Sequence, residues 1–308
     1  MKRSLVLGTR RSRLALLQTQ IVRERLIAAF PGLSVELREI VTAGDRSPDR
    51  PLSVASSPGF FTREIERRLL SGKIDLAVHS LKDLPVDLPA GLVIAATPER
   101  GDPHDALLSR SGVQLAELEK GALVGTSSPR RRAQILAARS DLTVHELRGN
   151  VDTRIEKLRR GDYDAILVAK VALDRLECTG EIAEVLGYDA FLPAPAQGAL
   201  AVEVRVDDQD VIECVRAIDH EPTRLATTAE RLLLEHLGGG CHLPLGALAE
   251  TAGTGQLRLR AMLLGPEGSR TIRADARGNI ENLSAVVDKC CGALTHQESD
   301  DGETLQDR

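Results

Sequence analysis

A chain of 308 residues, 42% hydrophobic and 28% charged, has the balance of a soluble globular protein and the length for two or three domains with their own cores. A net charge of -5 offers no positive excess to displace counterions, and with no Trp, two Tyr and four Phe there are few rings to stack on bases, which argues against a nucleic-acid partner. No run approaches the ~20 apolar residues of a membrane helix, and five cysteines without paired spacing (Cys178, Cys214, Cys241, Cys290, Cys291) point to a reducing, cytoplasmic setting with no metal site.

In chain order, short apolar runs ending in polar or glycine turns alternate with stretches of helical period, the pattern of strands and crossover helices in an α/β protein. Residues 4–7 read as a strand, 8–12 as a turn and 14–30 as a helix stopped by Pro31-Gly32. A strand at 35–41 leads to a long polar stretch, 42–59, holding Gly44, Pro48, Pro51 and Pro58, and loops of that length are usually functional. A helix at 60–70 and strands at 76–79 and 92–96 follow, with the sequence Ser80-Leu81-Lys82-Asp83 closing the first of these strands. Residues 99–105 are a charged break. The pattern then restarts with strand 122–124, turn 125–132, helix 132–139, strand 142–147, helix 151–159, strand 164–169 and helix 171–176. The strand–Gly-Thr–polar–Arg–helix unit at Gly8 recurs at Gly125, which implies two similar α/β halves. A strand at 199–204 could return to the first half. The chain ends in a smaller α+β module: helix 222–237, strands 243–248, 256–264 and 271–276, helix 283–292 and a polar tail from Thr295 that reads as disordered.

Arginine outnumbers lysine 33 to 7. Coding bias accounts for a background of that kind, but clusters at strand-to-helix turns call for more. Helix N-termini carry unpaired N–H groups and partial positive charge, so they bind anions, and arginine placed there opposes the dipole unless an anion is present. The turn with Arg10, Arg11, Ser12 and Arg13, the turn with Thr126, Ser127, Ser128 and Arg130 to Arg132, and the turn with Arg148 and Arg154 all have this form. Open α/β sheets bind ligands at such strand ends. A polycarboxylate or polyphosphate ligand fits, whereas the glycine fingerprints of nucleotide binding are absent. Asp83 is the acid/base candidate, able to shuttle a proton or stabilise a cation, or alternatively to cap the turn before Pro85. His79 reads as a packed strand residue. Cys241, after three glycines, is either an attachment point for a bulky group or a small buried thiol.

Seven segments in order, GTRRSRLALLQ at 8–18, VHSLKDLP at 78–85, GTSSPRRRAQ at 125–134, LRGNVDTRIEKL at 147–158, YDAILVA at 163–169, PAQGALAVE at 195–203 and GGGCHLPLG at 238–246, resemble the porphobilinogen deaminase (hydroxymethylbilane synthase) family over nearly the whole chain. The resemblance implies an α/β fold class: two periplasmic-binding-protein-like α/β domains with the active cleft between them (1–98 with 198–218, and 99–197) and a smaller C-terminal α+β domain (219–308). It implies a dipyrromethane cofactor held by Cys241 through a thioether and made from the enzyme's own substrate, porphobilinogen. Asp83 would assist loss of ammonia and stabilise the resulting azafulvene cation; four units are added before water releases hydroxymethylbilane. Arg10, Ser12, Lys82, Thr126, Ser128, Arg130, Arg131, Arg148 and Arg154 fall on motif positions that bind acetate and propionate carboxylates, and Gln197 on a polar contact near the reacting pyrrole. A monomer without nucleic-acid or membrane partners is expected. The family's lysine-containing GGKGLF stretch is replaced here by Ser56-Ser57-Pro58-Gly59-Phe60-Phe61, which bears on chain-extension kinetics. The rival reading is a non-catalytic two-lobed solute-binding or effector-sensing protein, which would leave Cys241 and the third module without a role.

Overall fold

The computed structural model describes residues 4–46, 62–239, 243–253 and 255–299. They fall into two compact units, one drawn from residues 1–102, 174–177 and 198–224 and the other from 103–173, 178–197 and 225–308.

The first unit is built on a five-stranded sheet of order β2-β1-β3-β10-β4, with strands β1 (Ser4–Arg10), β2 (Ser34–Ile40), β3 (Leu76–Ser80), β4 (Leu92–Ala96) and β10 (Leu200–Arg205). β1 runs parallel to β2 and β3, while β10 is antiparallel to β3 and β4. Helix α1 (Arg13–Ala29) starts at Ser12, whose hydroxyl accepts from the Ala15 N–H at 3.3 Å, and buries Val22 and Leu26 against one face with Leu5, Leu7, Leu76 and Val202. Between β2 and β3 lie the single turn α2 (Ala43–Arg46) and helix α3 (Arg63–Leu70). On α3, Thr62, Ile65, Glu66 and Leu69 are all buried, the i, i+3, i+4, i+7 stripe of a helix lying on a sheet. The apolar pair Ile65 and Leu69 packs against the second face with Ile40, Ile74, Ala77 and Leu92.

The second unit repeats this plan. Its sheet has the order β7-β6-β8-β5-β9, with β5 (Asp105–Ser109), β6 (Leu123–Gly125), β7 (Thr143–His145), β8 (Ala165–Ala169) and β9 (Glu184–Leu186), and β5 is the strand antiparallel to both its neighbours. Helices α4 (Pro129–Ala138), α5 (Val151–Arg159) and α6 (Lys170–Leu176) follow β6, β7 and β8. Strand for strand, β2-β1-β3-β10-β4 matches β7-β6-β8-β5-β9, and the match extends to single bonds. Asp75 accepts from the Val6 N–H at 2.8 Å, and Asp164, 89 positions on, accepts from the Leu123 N–H at 2.8 Å. Arg205 stands 3.5 Å from Asp75, and Arg110 stands 3.1 Å from Asp164. Both echoed glycines are sites of close approach: a Cβ on Gly8 would lie 2.4 Å from Ile74 Cδ1 and one on Gly125 would lie 2.8 Å from Tyr163 Cδ1.

A separate antiparallel sheet, β11 (Leu245–Ala252), β12 (Gln256–Leu264) and β13 (Thr271–Asn279), carries helices α8 (Glu221–His236) and α9 (Leu283–Ser299). The helix α7 (Gln209–Arg216) follows β10.

Four of these elements go beyond the sequence reading: α2, β5, β9 and α7. β5 was hidden because Asp105, its first residue, belongs to the charged break, and because Ala106, Leu107 and Leu108 are all fully buried and show no alternation. The expected disordered tail from Thr295 is corrected as far as Ser299. Leu294 is fully buried and the Thr295 hydroxyl donates to the Cys291 carbonyl at 3.1 Å, so α9 continues.

Candidate active site

In the first unit the expected site residues gather at the C-terminal ends of the adjacent strands β1 and β3. Arg10 ends β1, and Ser12 caps α1 two residues later. Arg10 Nη2 donates to Asp45 Oδ1 at 2.7 Å, and Asp45 also accepts from the Thr42 N–H and hydroxyl at 3.0 and 2.7 Å. Burial pushes the Asp45 carboxyl up, but the bonds from Arg10 and Thr42 outweigh it and hold it below the usual carboxylate range. After β3 the chain makes a 3-10 turn over Leu81–Asp83, tied down by the Leu81 N–H donating to the Ala199 carbonyl at 3.0 Å. Leu81 and Leu84 are buried on either side, which turns Lys82 and Asp83 outward. Asp83 is exposed and makes no hydrogen bond among the described residues. A carboxylate left open at a strand end, one residue from a lysine, is placed to meet a ligand's cationic centre.

In the second unit, Thr126 and Ser128 follow β6, where the Thr126 N–H donates to the His145 carbonyl at 2.9 Å and the Ser128 hydroxyl caps α4 by accepting from the Arg131 N–H at 3.4 Å. Arg148 and Arg154 follow β7, the neighbour of β6. Arg148 donates to Glu146 Oε1 through Nε at 2.9 Å, and Arg154 Nε donates to the Gly149 carbonyl at 2.8 Å. Gly149 has φ +107°, a backbone that only glycine adopts freely, so the turn between the two arginines depends on it.

Arg130 and Arg131 show what the sequence reading lacked. Expected to point at a ligand, both are buried and bonded to Asp105, which is fully buried at the start of β5. Arg130 Nη1 lies 2.7 Å from Asp105 Oδ2, and Arg131 lies 3.0 Å (Nε) and 2.6 Å (Nη2) from Oδ1. Gln197 joins them, donating from Nε2 to Asp105 Oδ1 at 2.8 Å and accepting from Arg131 at 3.4 Å. Burial raises the Asp105 carboxyl, but two guanidiniums and their hydrogen bonds more than reverse this and hold it far below the ordinary range. Two cations against one anion leave the cluster with one net positive charge, so it still favours an anion at the N-terminus of α4. The anion that an arginine-rich first turn demanded is partly the chain's own. Its signal was the acid in the HDALL run at 104–108, where a charged residue opens an apolar strand.

Cys241 and Pro58 lie outside the described residues. The charges of the rest suit a group bearing several carboxylates: hydroxyl-capped helix starts and Arg, Lys side chains recur at each sheet's strand ends, and the carboxylates found there are already bonded, Asp83 excepted.

Residues 5–213 match the family model described as porphobilinogen deaminase, dipyromethane cofactor binding domain, and residues 224–294 match the porphobilinogen deaminase C-terminal domain. The chain belongs to the porphobilinogen deaminase family. A porphobilinogen deaminase of Roseiflexus sp. (strain RS-1) is 49% identical over 279 residues, 91% of each chain. That of Brevibacillus brevis is 48% identical over 88% of each, and that of Thermus thermophilus is 47% identical over 92% of this chain and 93% of its own. Among solved structures, the methionine binding protein MetQ covers 74% of this chain and 95% of its own with TM-score 0.46 and 12% identity. Family membership favours the enzyme over the non-catalytic solute binder, and it brings with it the dipyrromethane cofactor domain.

Proposed function

We propose that this chain is a monomeric, cytoplasmic hydroxymethylbilane synthase, a transferase that condenses four porphobilinogen molecules head to tail with loss of ammonia and releases the linear product with water. The observation that carries the reading is Asp83: an exposed carboxylate without a hydrogen-bond partner among the described residues, beside Lys82, in a unit whose other site residues are cationic or hydroxylic. Among the described residues no helix is long and apolar enough to cross a membrane.

The dipyrromethane, when bound through Cys241, supplies a covalent primer whose terminal pyrrole carbon is the nucleophile. The protein's share is positioning and charge. Arg10, Ser12 and Lys82 in one unit, and Thr126, Ser128, Arg148 and Arg154 in the other, bind the acetate and propionate arms, fixing rings through their carboxylates. Arg130 and Arg131 add the net positive charge of their Asp105 cluster, and Gln197 is held in place by it. Asp83 keeps a proton with the departing amine and its carboxylate stabilises the cation left on the substrate. An arm-based grip needs no aromatic platform, in keeping with a chain that has no tryptophan.

Intact-protein mass spectrometry of the chain from cells that make porphobilinogen tests this. The expected mass includes two linked pyrrole units, lost in Cys241→Ser, and Asp83→Asn keeps the adduct while losing most turnover. Only the bare polypeptide mass, or near-normal turnover in Asp83→Asn, would overturn it.

A further inference from the structure

Beneath the Asp83 turn lies a set of buried ionisable groups that the proposed chemistry does not use. The β10–β3 register sets Ala201 opposite His79 and Glu203 opposite Ala77, so His79 and Glu203 are diagonal neighbours on one face. His79 Nε2 is 3.1 Å from Glu203 Oε2. α3 lies over the same face and brings in Glu66. His79, Glu203 and Glu66 are 6%, 0% and 5% exposed. Among the described residues, Glu203 Oε1 and Glu66 Oε1 have no hydrogen-bond partner. Burial, with the Glu203 charge adding to it, raises the Glu66 carboxyl above its ordinary value. The other charged groups bearing on Glu66 are His79 on β3 and Arg63 at the start of α3; Arg205, on β10, is spent on the Leu69 and Ile74 carbonyls and on Asp208. β4 contributes only apolar residues to this face.

The second unit is the internal control. Glu66, Leu69, Gly72, Asp75 and His79 correspond, 89 positions on, to Ile155, Leu158, Gly161, Asp164 and Val168. Leu108 holds the place of Glu203, since Leu108 pairs with Ile166 as Glu203 pairs with Ala77. Where the first unit has Glu66, Glu203 and His79, the second packs Ile155, Leu108 and Val168 in one apolar cluster. The same architecture therefore folds without these charges, and burying them forfeits stability that an apolar trio provides. The two strands also end differently. β8 leads directly into α6, whereas β3 ends in the turn that carries Lys82 and Asp83.

We propose that Glu66, Glu203 and His79 are positioning residues, a buried polar cluster that fixes the end of β3 and so the placement of Asp83. The inference rests on the assignment of Asp83 above. The His79–Glu203 hydrogen bond holds β3 and β10 in one pairing, where an apolar contact tolerates sliding, and a misplacement of ~1 Å at a reacting group can cost ~100-fold in rate.

The experiment transplants the second unit's residues as Glu66→Ile, Glu203→Leu and His79→Val. The triple variant should melt at the same temperature as the parent or about 3 °C higher, while kcat drops by about tenfold or more and KM stays within about threefold. Because folded Glu66 holds its proton to higher pH than the unfolded chain, parental stability should fall as pH rises above the ordinary carboxylate range, and this fall should vanish in the variant. Glu66→Gln, which keeps the shape and polarity of the side chain, should restore most of the kcat lost in Glu66→Ile. Unchanged kcat in the triple variant, or no rescue by Gln, would overturn the proposal. If the parent itself forms no hydroxymethylbilane, it is the function that fails, and the pH slope of stability still reports on buried Glu66.

Discussion

The two sheet units share strand order, the Asp75 and Asp164 anchors and the glycines at which β1 and β6 meet their neighbours, yet each buries charge where the other is apolar. The first unit has Glu66, Glu203 and His79 in place of Ile155, Leu108 and Val168. The second has Asp105 opposite Ala169, where the first has Leu200 opposite Ser80. Aligned on the caps Ser12 and Ser128, Leu14 and Ala15 of the first unit hold the places of Arg130 and Arg131. A fold that can be built either way does not need these charges, so their presence marks divergence of role. In one unit they include a residue of the strand that leads to the exposed Asp83, in the other two residues of a helix's first turn.

Breaking the Asp105 cluster should have the largest effect. Asp105→Asn leaves two buried guanidiniums facing a neutral amide, at a cost on the order of 3–5 kcal/mol, read as a lower melting temperature or denaturant midpoint. Exchanging all three residues for those of the first unit (Asp105→Leu, Arg130→Leu, Arg131→Ala) should recover much of that loss, while weakening anion binding. The pH dependence has a definite sign. The Asp105 carboxyl is depressed on folding, so its contribution is complete above the unfolded value of about 3.9 and disappears as pH falls towards the folded value. The gap between parent and Asp105→Asn should therefore close in acid. A gap independent of pH down to about 2 would mean that the carboxylate charge is not what holds the arginines.

Asp45→Asn probes the ion pair at the strand-end turn of the first unit, where Arg10 and Asp45 are 23% and 11% exposed. The loss should be smaller, about 1–2 kcal/mol, because the amide still accepts a bond and water reaches the guanidinium. A loss equal to that of Asp105→Asn would erase the distinction drawn between the two turns.

The alternation of apolar runs with helical stretches and the Gly-Thr echo made the α/β halves legible, because crossover helices and parallel strands leave local periodic signals. The pairing of β10 and β5 with the other strands of their sheets was harder to read: it joins residues distant in the chain, such as Ala201 with His79 and Asp105 with Ala169. Most candidate site residues sit at strand ends as expected, since turns and caps are local. The partners Asp45, Asp105 and Glu203 were missed because nothing in the neighbourhood of an acid tells which distant arginine or histidine it will meet. Asp105 looked like part of a solvated break, and Glu203 like one polar member of a strand.

Ser12→Ala and Ser128→Ala give the finest comparison. Both hydroxyls accept from an N–H one turn in, at 3.3 and 3.4 Å, so removal of either should cost about 0.5–1 kcal/mol, and nearly the same in each unit. Local capping is a feature of the turns that the two units share. Equal losses from the caps, set against unequal losses from the Arg10–Asp45 and Arg131–Asp105 pairs, would place the divergence in the buried partners. Unequal cap losses would show instead that the helix starts themselves differ.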